Sequence, residues 1–176
     1  MNDTFDLRVG GESHIEVHKF RTGAIVAVTL AALVFQALSP IYVPKAALLD
    51  LPLLVTLYFG LSRRNPSSGL ALGMIIGLLQ DSLSKSPLGI YGIAKTLVGY
   101  VASSIGGRLD TEHPLSRFAL TIVFFGLHQG VVVLIKRLLL AQPEVWFTTR
   151  LGMAAAVNGV VAVGLFLLLD RLRKSS

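Results

Sequence analysis

Residues 115–140 read LSRFALTIVFFGLHQGVVVLIKRLLL. Leu, Val, Ile and Phe dominate this stretch, with none of the two-residue alternation that a membrane barrel strand requires. It is longer than the roughly 20 apolar residues with which a helix crosses the hydrocarbon of a bilayer. No water reaches that depth, so a backbone there must satisfy its own N–H and C=O groups as a helix or a closed barrel. The continuity of the run selects the helix.

Similar runs lie on both sides of it. Working outward, the sequence predicts spans over about 22–38, 46–61, 68–83, 88–105, 115–140 and 150–169. Polar breaks separate them, among them Ser39-Pro40, Arg63-Arg64-Asn65-Pro66 and Gly106-Gly107-Arg108. The expected class is an all-α integral membrane protein with about six transmembrane helices. Segments three and four are short or polar-interrupted, and if both were re-entrant, four spans would remain with the same loop parity. Residues 1–21 form a polar tail, with a surface helix expected near Ile15 to Phe20, and residues 170–176 form a basic one. Ala37-Leu38-Ser39 loosely resembles a signal-peptide cleavage site, but the acidic region before segment one and the proline after it argue against that reading.

Composition agrees. The 176 residues are 53% hydrophobic and 15% charged, with mean hydropathy +0.68, whereas soluble domains carry about a quarter charged residues. Cysteine is absent, which excludes disulfides and thiolate chemistry. The net charge of +6 comes from basic residues beside the apolar segments and not along one stripe, so nucleic-acid binding is not expected. Arg8, Lys19, Arg21, Arg63, Arg64, Arg108, Arg117, Arg171, Arg173 and Lys174 fall on one side, against Lys45, Lys85, Lys136, Arg137 and Arg150 on the other. The basic excess marks the cytoplasmic side, which places both termini there.

The stretch richest in information is 69–99. Gly69, Gly73, Gly77 and Asp81 recur every four residues and share one ridge of segment three. Overlapping Gly-x-x-x-Gly repeats let helix backbones approach closely in lipid. The ridge serves either internal packing or the docking of a partner's helix, and Gly126 and Gly130 on segment five repeat the device. Asp81 and Lys95 each cost roughly 3 kcal/mol at membrane depth on insertion scales. Both are expected in the outer half at similar depth, where they form an ion pair unless Asp50 competes or Lys95 snorkels to the interface. His128 and Gln129 reach the same half, so Asp50, Asp81, Lys95 and His128 are the candidate buried polar network. Trp146 and Phe147 read as interface anchors, and Asn158 as a helix–helix hydrogen bond. No phosphate loop, nucleophile elbow, carboxylate pair or metal-ligand spacing is present, and no enzyme activity, cofactor or metal is expected.

The run Gly73-Met74-Ile75-Ile76-Gly77-Leu78-Leu79-Gln80-Asp81-Ser82-Leu83, followed by Pro87-Leu88-Gly89 and Leu97-Val98-Gly99-Tyr100, resembles the bacterial rod shape-determining family MreD. The recognisable motif covers about 69–100, the hydropathy likeness nearly the whole chain, and the polar N-terminal tail is longer than the family pattern. The resemblance implies a compact bundle similar to the substrate-binding subunits of energy-coupling-factor vitamin transporters. It also implies a non-enzymatic scaffold of the elongation complex in the bacterial inner membrane, acting in cell shape and lateral peptidoglycan synthesis. The partners implied are the single-span protein MreC, a RodA-like polymerase, a class B penicillin-binding protein and the actin-like MreB. The competing reading, from Asp50, Asp81, Lys95 and His128, is a small transporter or vitamin-binding subunit.

Overall fold

The computed structural model describes residues 22–84, 86–109, 111, 113–142 and 148–171. The expected surface helix near Ile15, the Trp146–Phe147 anchors and residues 172–176 lie outside the described residues. Within them the chain forms six α-helices and one 3-10 turn: α1 Thr22–Tyr42, the turn Pro44–Leu48, α2 Leu51–Arg63, α3 Pro66–Leu83, α4 Ile90–Ile105, α5 Pro114–Leu139 and α6 Thr149–Asp170. Ala46–Arg63, Pro114–Leu139 and Thr149–Asp170 are long and apolar enough to cross a bilayer. Gly23–Ser39 and Ile90–Ile105 are apolar but shorter.

Two elements depart from the expected boundaries. α1 runs through Pro40 to Tyr42 instead of stopping at Leu38. A proline in the last turn removes only one helical N–H, and Val43 N–H still donates to Ser39 O at 2.8 Å. Segment two, expected as one helix from Ala46, is broken at Leu49–Asp50. The Asp50 side chain accepts the Leu53 N–H at 2.9 Å and so caps α2, while Pro52 in the first turn has no N–H to lose.

α2 is the axis of the bundle. Every residue from Pro52 to Ser62 is buried, and α1, α3, α4, α5 and α6 all pack against it. The outer helices turn apolar side chains outward: Val26, Leu30 and Val34 on α1, Ile75 on α3, Val123 on α5, Val160 on α6. Asp81, Lys95, Thr121, His128 and Asn158 are inside. This is the arrangement expected of a protein surrounded by lipid, where polar groups face the bundle interior. Thr56 and Thr121 satisfy their interior hydroxyls locally, donating to the carbonyls four residues back at Pro52 and Arg117.

The glycine ridge of α3 is consumed inside the molecule. Going along α3, Gly69 faces Gly99 and Ser103, Gly73 faces Lys95 and Thr96, and Gly77 faces Tyr91 and Gly92, which is the register of an antiparallel pair. A Cβ on Gly73 would lie 2.7 Å from the Lys95 carbonyl carbon, and one on Gly77 would lie 2.7 Å from Gly92 Cα. Those neighbours are backbone and cannot rotate away. Gly99 answers from α4, where a Cβ would meet the Gly69 carbonyl. Gly126 and Gly130 differ: a Cβ on either meets nothing within 4 Å.

Substituting Gly77 by Leu should therefore destabilise the bundle by more than the roughly 1–3 kcal/mol typical of overpacking, while Gly126→Leu should leave stability unchanged. Thermal unfolding of both variants in detergent, followed by size-exclusion profile, measures this; equal melting of G77L and wild type would contradict the packing described.

Candidate functional site

Four helices and one helix corner contribute to a polar core at the end of the bundle opposite the start of α1 and the end of α6. Asp50 stands at the corner between the 3-10 turn and α2 because it caps α2. Lys95 projects from α4 and donates from Nζ to Asp50 Oδ2 at 2.8 Å, with its own side chain fully buried. His128 of α5 places Nε2 at 3.2 Å from Lys95 Nζ and 3.9 Å from Asp50 Oδ2. An ammonium only donates, so His128 accepts through Nε2 and carries its proton on Nδ1. That Nδ1 has no partner among the described residues. The Tyr91 ring stacks on His128 with centroids 5.8 Å apart, and Lys95 Nζ lies 5.1 Å from the Tyr91 centroid, within cation–π range.

Asn158 locks α6 to the same corner. Its Oδ1 accepts the Asp50 N–H at 2.9 Å, and its Nδ2 donates to Leu48 O at 2.7 Å and Ala154 O at 2.8 Å. The expected helix–helix hydrogen bond is there, but it reaches backbone at a corner that had no visible need of it in sequence.

Asp81 has a different office from the one expected. Its carboxylate accepts the backbone N–H groups of Gly89, Tyr91 and Gly92 at 2.9, 3.0 and 3.0 Å. It caps α4, whose N-terminal N–H groups have no helical partner and whose dipole favours a negative charge there. Gly89, at φ +104°, makes the turn that presents them. The ion pair of Lys95 is accordingly with Asp50 and not with Asp81, whose oxygens are taken by the turn eight to eleven residues ahead. Of the four residues expected to form one network, Asp50, Lys95 and His128 converge and Asp81 anchors the adjacent helix start.

Sequence reasoning missed a second polar knot at the other end. Arg117 Nη2 donates to Asp170 Oδ2 at 2.6 Å and Nε to Thr111 O at 2.7 Å, and Tyr58 Oη donates to Asp170 Oδ1 at 2.9 Å. This ties α5, α6 and α2. Arg117, read from sequence as a loop charge, is 3% exposed. Its one visible signal was a helical position after Pro114, in the first turn of α5.

Beside the core, Gln36, Asp50, Gln80, Gln129, Lys136 and Arg150 line a polar recess of about 520 Å³. Among the described residues no three His, Asp or Glu side chains gather as metal ligands.

An apolar exterior around an internally paired polar core defines a helical membrane protein whose ionised groups hold helices together. The particular family follows from the whole length of the chain: a family model for the rod shape-determining protein MreD matches residues 19–175, and the protein belongs to that family. No curated protein and no solved structure matches the chain.

Removing one partner of a buried pair strands the other, at roughly 3–5 kcal/mol. Lys95→Met should lose that much in SDS-induced unfolding from micelles. Asp50→Asn combined with Lys95→Met should recover most of it, because Asn still caps α2. A Lys95→Met protein as stable as wild type would show that the pair holds nothing.

Proposed function

We propose that this rod shape-determining protein is a non-enzymatic scaffold of the elongation complex, spanning the bacterial inner membrane six times with both termini in the cytoplasm. It binds an MreC-like single-span protein, and through it supports lateral peptidoglycan synthesis. A RodA-like polymerase, a class B penicillin-binding protein and an MreB-like filament belong to the same assembly. The observation that carries this reading is how the ionised interior is spent. Asp50, Lys95 and Asp81 are bound to one another or to helix ends, which favours a role in holding shape over a role in turnover. The residues of the domain are 22–169, between a cytoplasmic tail of 1–21 and another of 170–176.

The partner's helix docks on α5. The α3 ridge is filled by α4, whereas Gly126 and Gly130 face open space on the same side as the exposed Val123 and Leu134. Small residues spaced by four allow close backbone approach between helices in lipid. A transporter or vitamin-binding subunit draws support from the polar recess alone. The likeness to energy-coupling-factor substrate-binding subunits is the same proposal at the level of fold, and the recess at one end of the bundle supports it too.

A Gly126→Leu/Gly130→Leu protein should fold and reach the membrane yet lose co-purification of the MreC-like partner by roughly tenfold or more, the equivalent of about 1.4 kcal/mol. Cells relying on it should round up. Rods of normal shape with the partner still bound would sink the docking face; rods of normal shape after complete depletion would sink the scaffold.

A further inference from the structure

The recess beside the polar core is built from six stretches that the chain brings to one end: α1 with Gln36, the corner with Asp50, the end of α3 with Gln80, the start of α4 with Tyr91, the second half of α5 with Gln129, and the start of α6 with Arg150. Its volume of about 520 Å³ falls within the roughly 300–1,000 Å³ of small-molecule sites.

Net charge is not what its interior offers. The Asp50 carboxylate is taken by Lys95 Nζ and the Leu53 N–H. Lys136 already has a partner, and Arg150 is exposed. The remaining polar groups are chiefly carboxamides. Gln36 spends Oε1 on the Leu51 N–H at 3.2 Å, which leaves the NH2 of that amide as its donor. Gln80 is only 5% exposed, and its Oε1 has no hydrogen-bond partner among the described residues. A buried acceptor left empty costs roughly 1–3 kcal/mol, and a ligand that donates to it removes that cost. Gln129 adds a third carboxamide from α5, and Tyr91 and Phe125 add aromatic surface to the lining. An occupant must therefore bring a donor for Gln80 and acceptors for the amide NH2 groups, with no call for a formal charge. A hydroxyl is donor and acceptor at once, and a ring that carries several also has an apolar C–H face for the aromatic surface.

We propose that this recess binds an uncharged polyhydroxylated ring, a glycosyl group of one or two units. One hydroxyl donates to Gln80 Oε1, and others accept from the carboxamides of Gln36 and Gln129. Such a group comes either from a free sugar or from the headgroup of a glycolipid in the leaflet at this end of the bundle. The site is independent of the α5 docking face and of the scaffold reading.

The test uses the full-length protein without partners, in phosphatidylcholine nanodiscs free of sugar-based detergent, whose headgroups would compete. Saturation-transfer NMR titrations use glucose, galactose and sucrose as probes, with glucose 6-phosphate as the charged comparison. In parallel, native mass spectrometry follows retention of monoglucosyl diacylglycerol from mixed-lipid nanodiscs. The variants are Gln80→Leu and Gln129→Leu, each checked for an unchanged size-exclusion profile; Gln129→Leu, at a half-buried position, decides alone if Gln80→Leu fails to fold. Binding of a free sugar, weakened roughly fivefold by these variants as for loss of one hydrogen bond, supports the proposal with a soluble source sufficient. Retention of the glucolipid alone, lost in the variants, supports it with the lipid as the source. Binding of neither, or binding that the variants leave unchanged, overturns it. Glucose 6-phosphate binding where no uncharged probe binds also overturns it, since the site would then select charge. A Gln129→Leu protein that releases a protein partner while wild type binds no glycosyl probe overturns it too, and makes the recess a protein-docking surface.

Discussion

A carboxylate inside a helical bundle in lipid must be answered from every side, and Asp50 is where this chain does so. One side-chain oxygen caps α2, the other receives the Lys95 ammonium, and the backbone N–H is held by Asn158. Through these three contacts the central helix is joined to α4 and α6, and His128 adds α5 at the far side of the ammonium. The desolvation cost of two buried ions is large, and Coulomb attraction offsets it only with good geometry and every remaining valence satisfied. The corner between the 3-10 turn and α2 exists to supply that geometry. Without it α2 would have no start, and Lys95 would have no counter-ion.

The same demand explains why α3 and α4 lie so close. Asp81 reaches three backbone N–H groups at the start of α4 only if the two helices touch along their length. Gly69, Gly73 and Gly77 permit that contact, and Gly99 completes it from the opposite side. Close approach compensates for a weak driving force: lipid tails are as apolar as the helices, so burial of apolar surface gains little, and van der Waals packing must do more. At the other end, Arg117, Asp170 and Tyr58 close the bundle by the same logic. The result is a molecule clamped at both ends, with an apolar exterior between.

Such a body suits a member of a shape-determining family better than it suits a machine with moving parts. Its ionised residues are committed to architecture, and what it offers to other molecules lies on its surface: the bare glycines of α5 and the recess rimmed by Lys136 and Arg150. The two surfaces ask for different occupants. One is an apolar helix face with uncovered glycines, whereas the other is concave and polar.

The class was legible in sequence because it depends on solvent: apolar runs of the length of 115–140 leave a backbone no choice but a helix. The four-residue spacing of Gly69, Gly73, Gly77 and Asp81 likewise announced a close helix contact, since a spacing of four survives any arrangement of the bundle. Partner choice was not legible. Whether Lys95 faces Asp50 or Asp81 depends on which helix start lies beside which carboxylate, and Arg117 resembles any loop arginine until α6 brings Asp170 to it. The recess was invisible for the same reason, being assembled from six separate stretches. Sequence by itself determined the solvent, the helices and the ridge that must be covered, because those follow from local chemistry along one chain segment. Tertiary structure alone decided which charge neutralises which and which glycines stay bare, because those depend on distances between segments that no periodicity encodes.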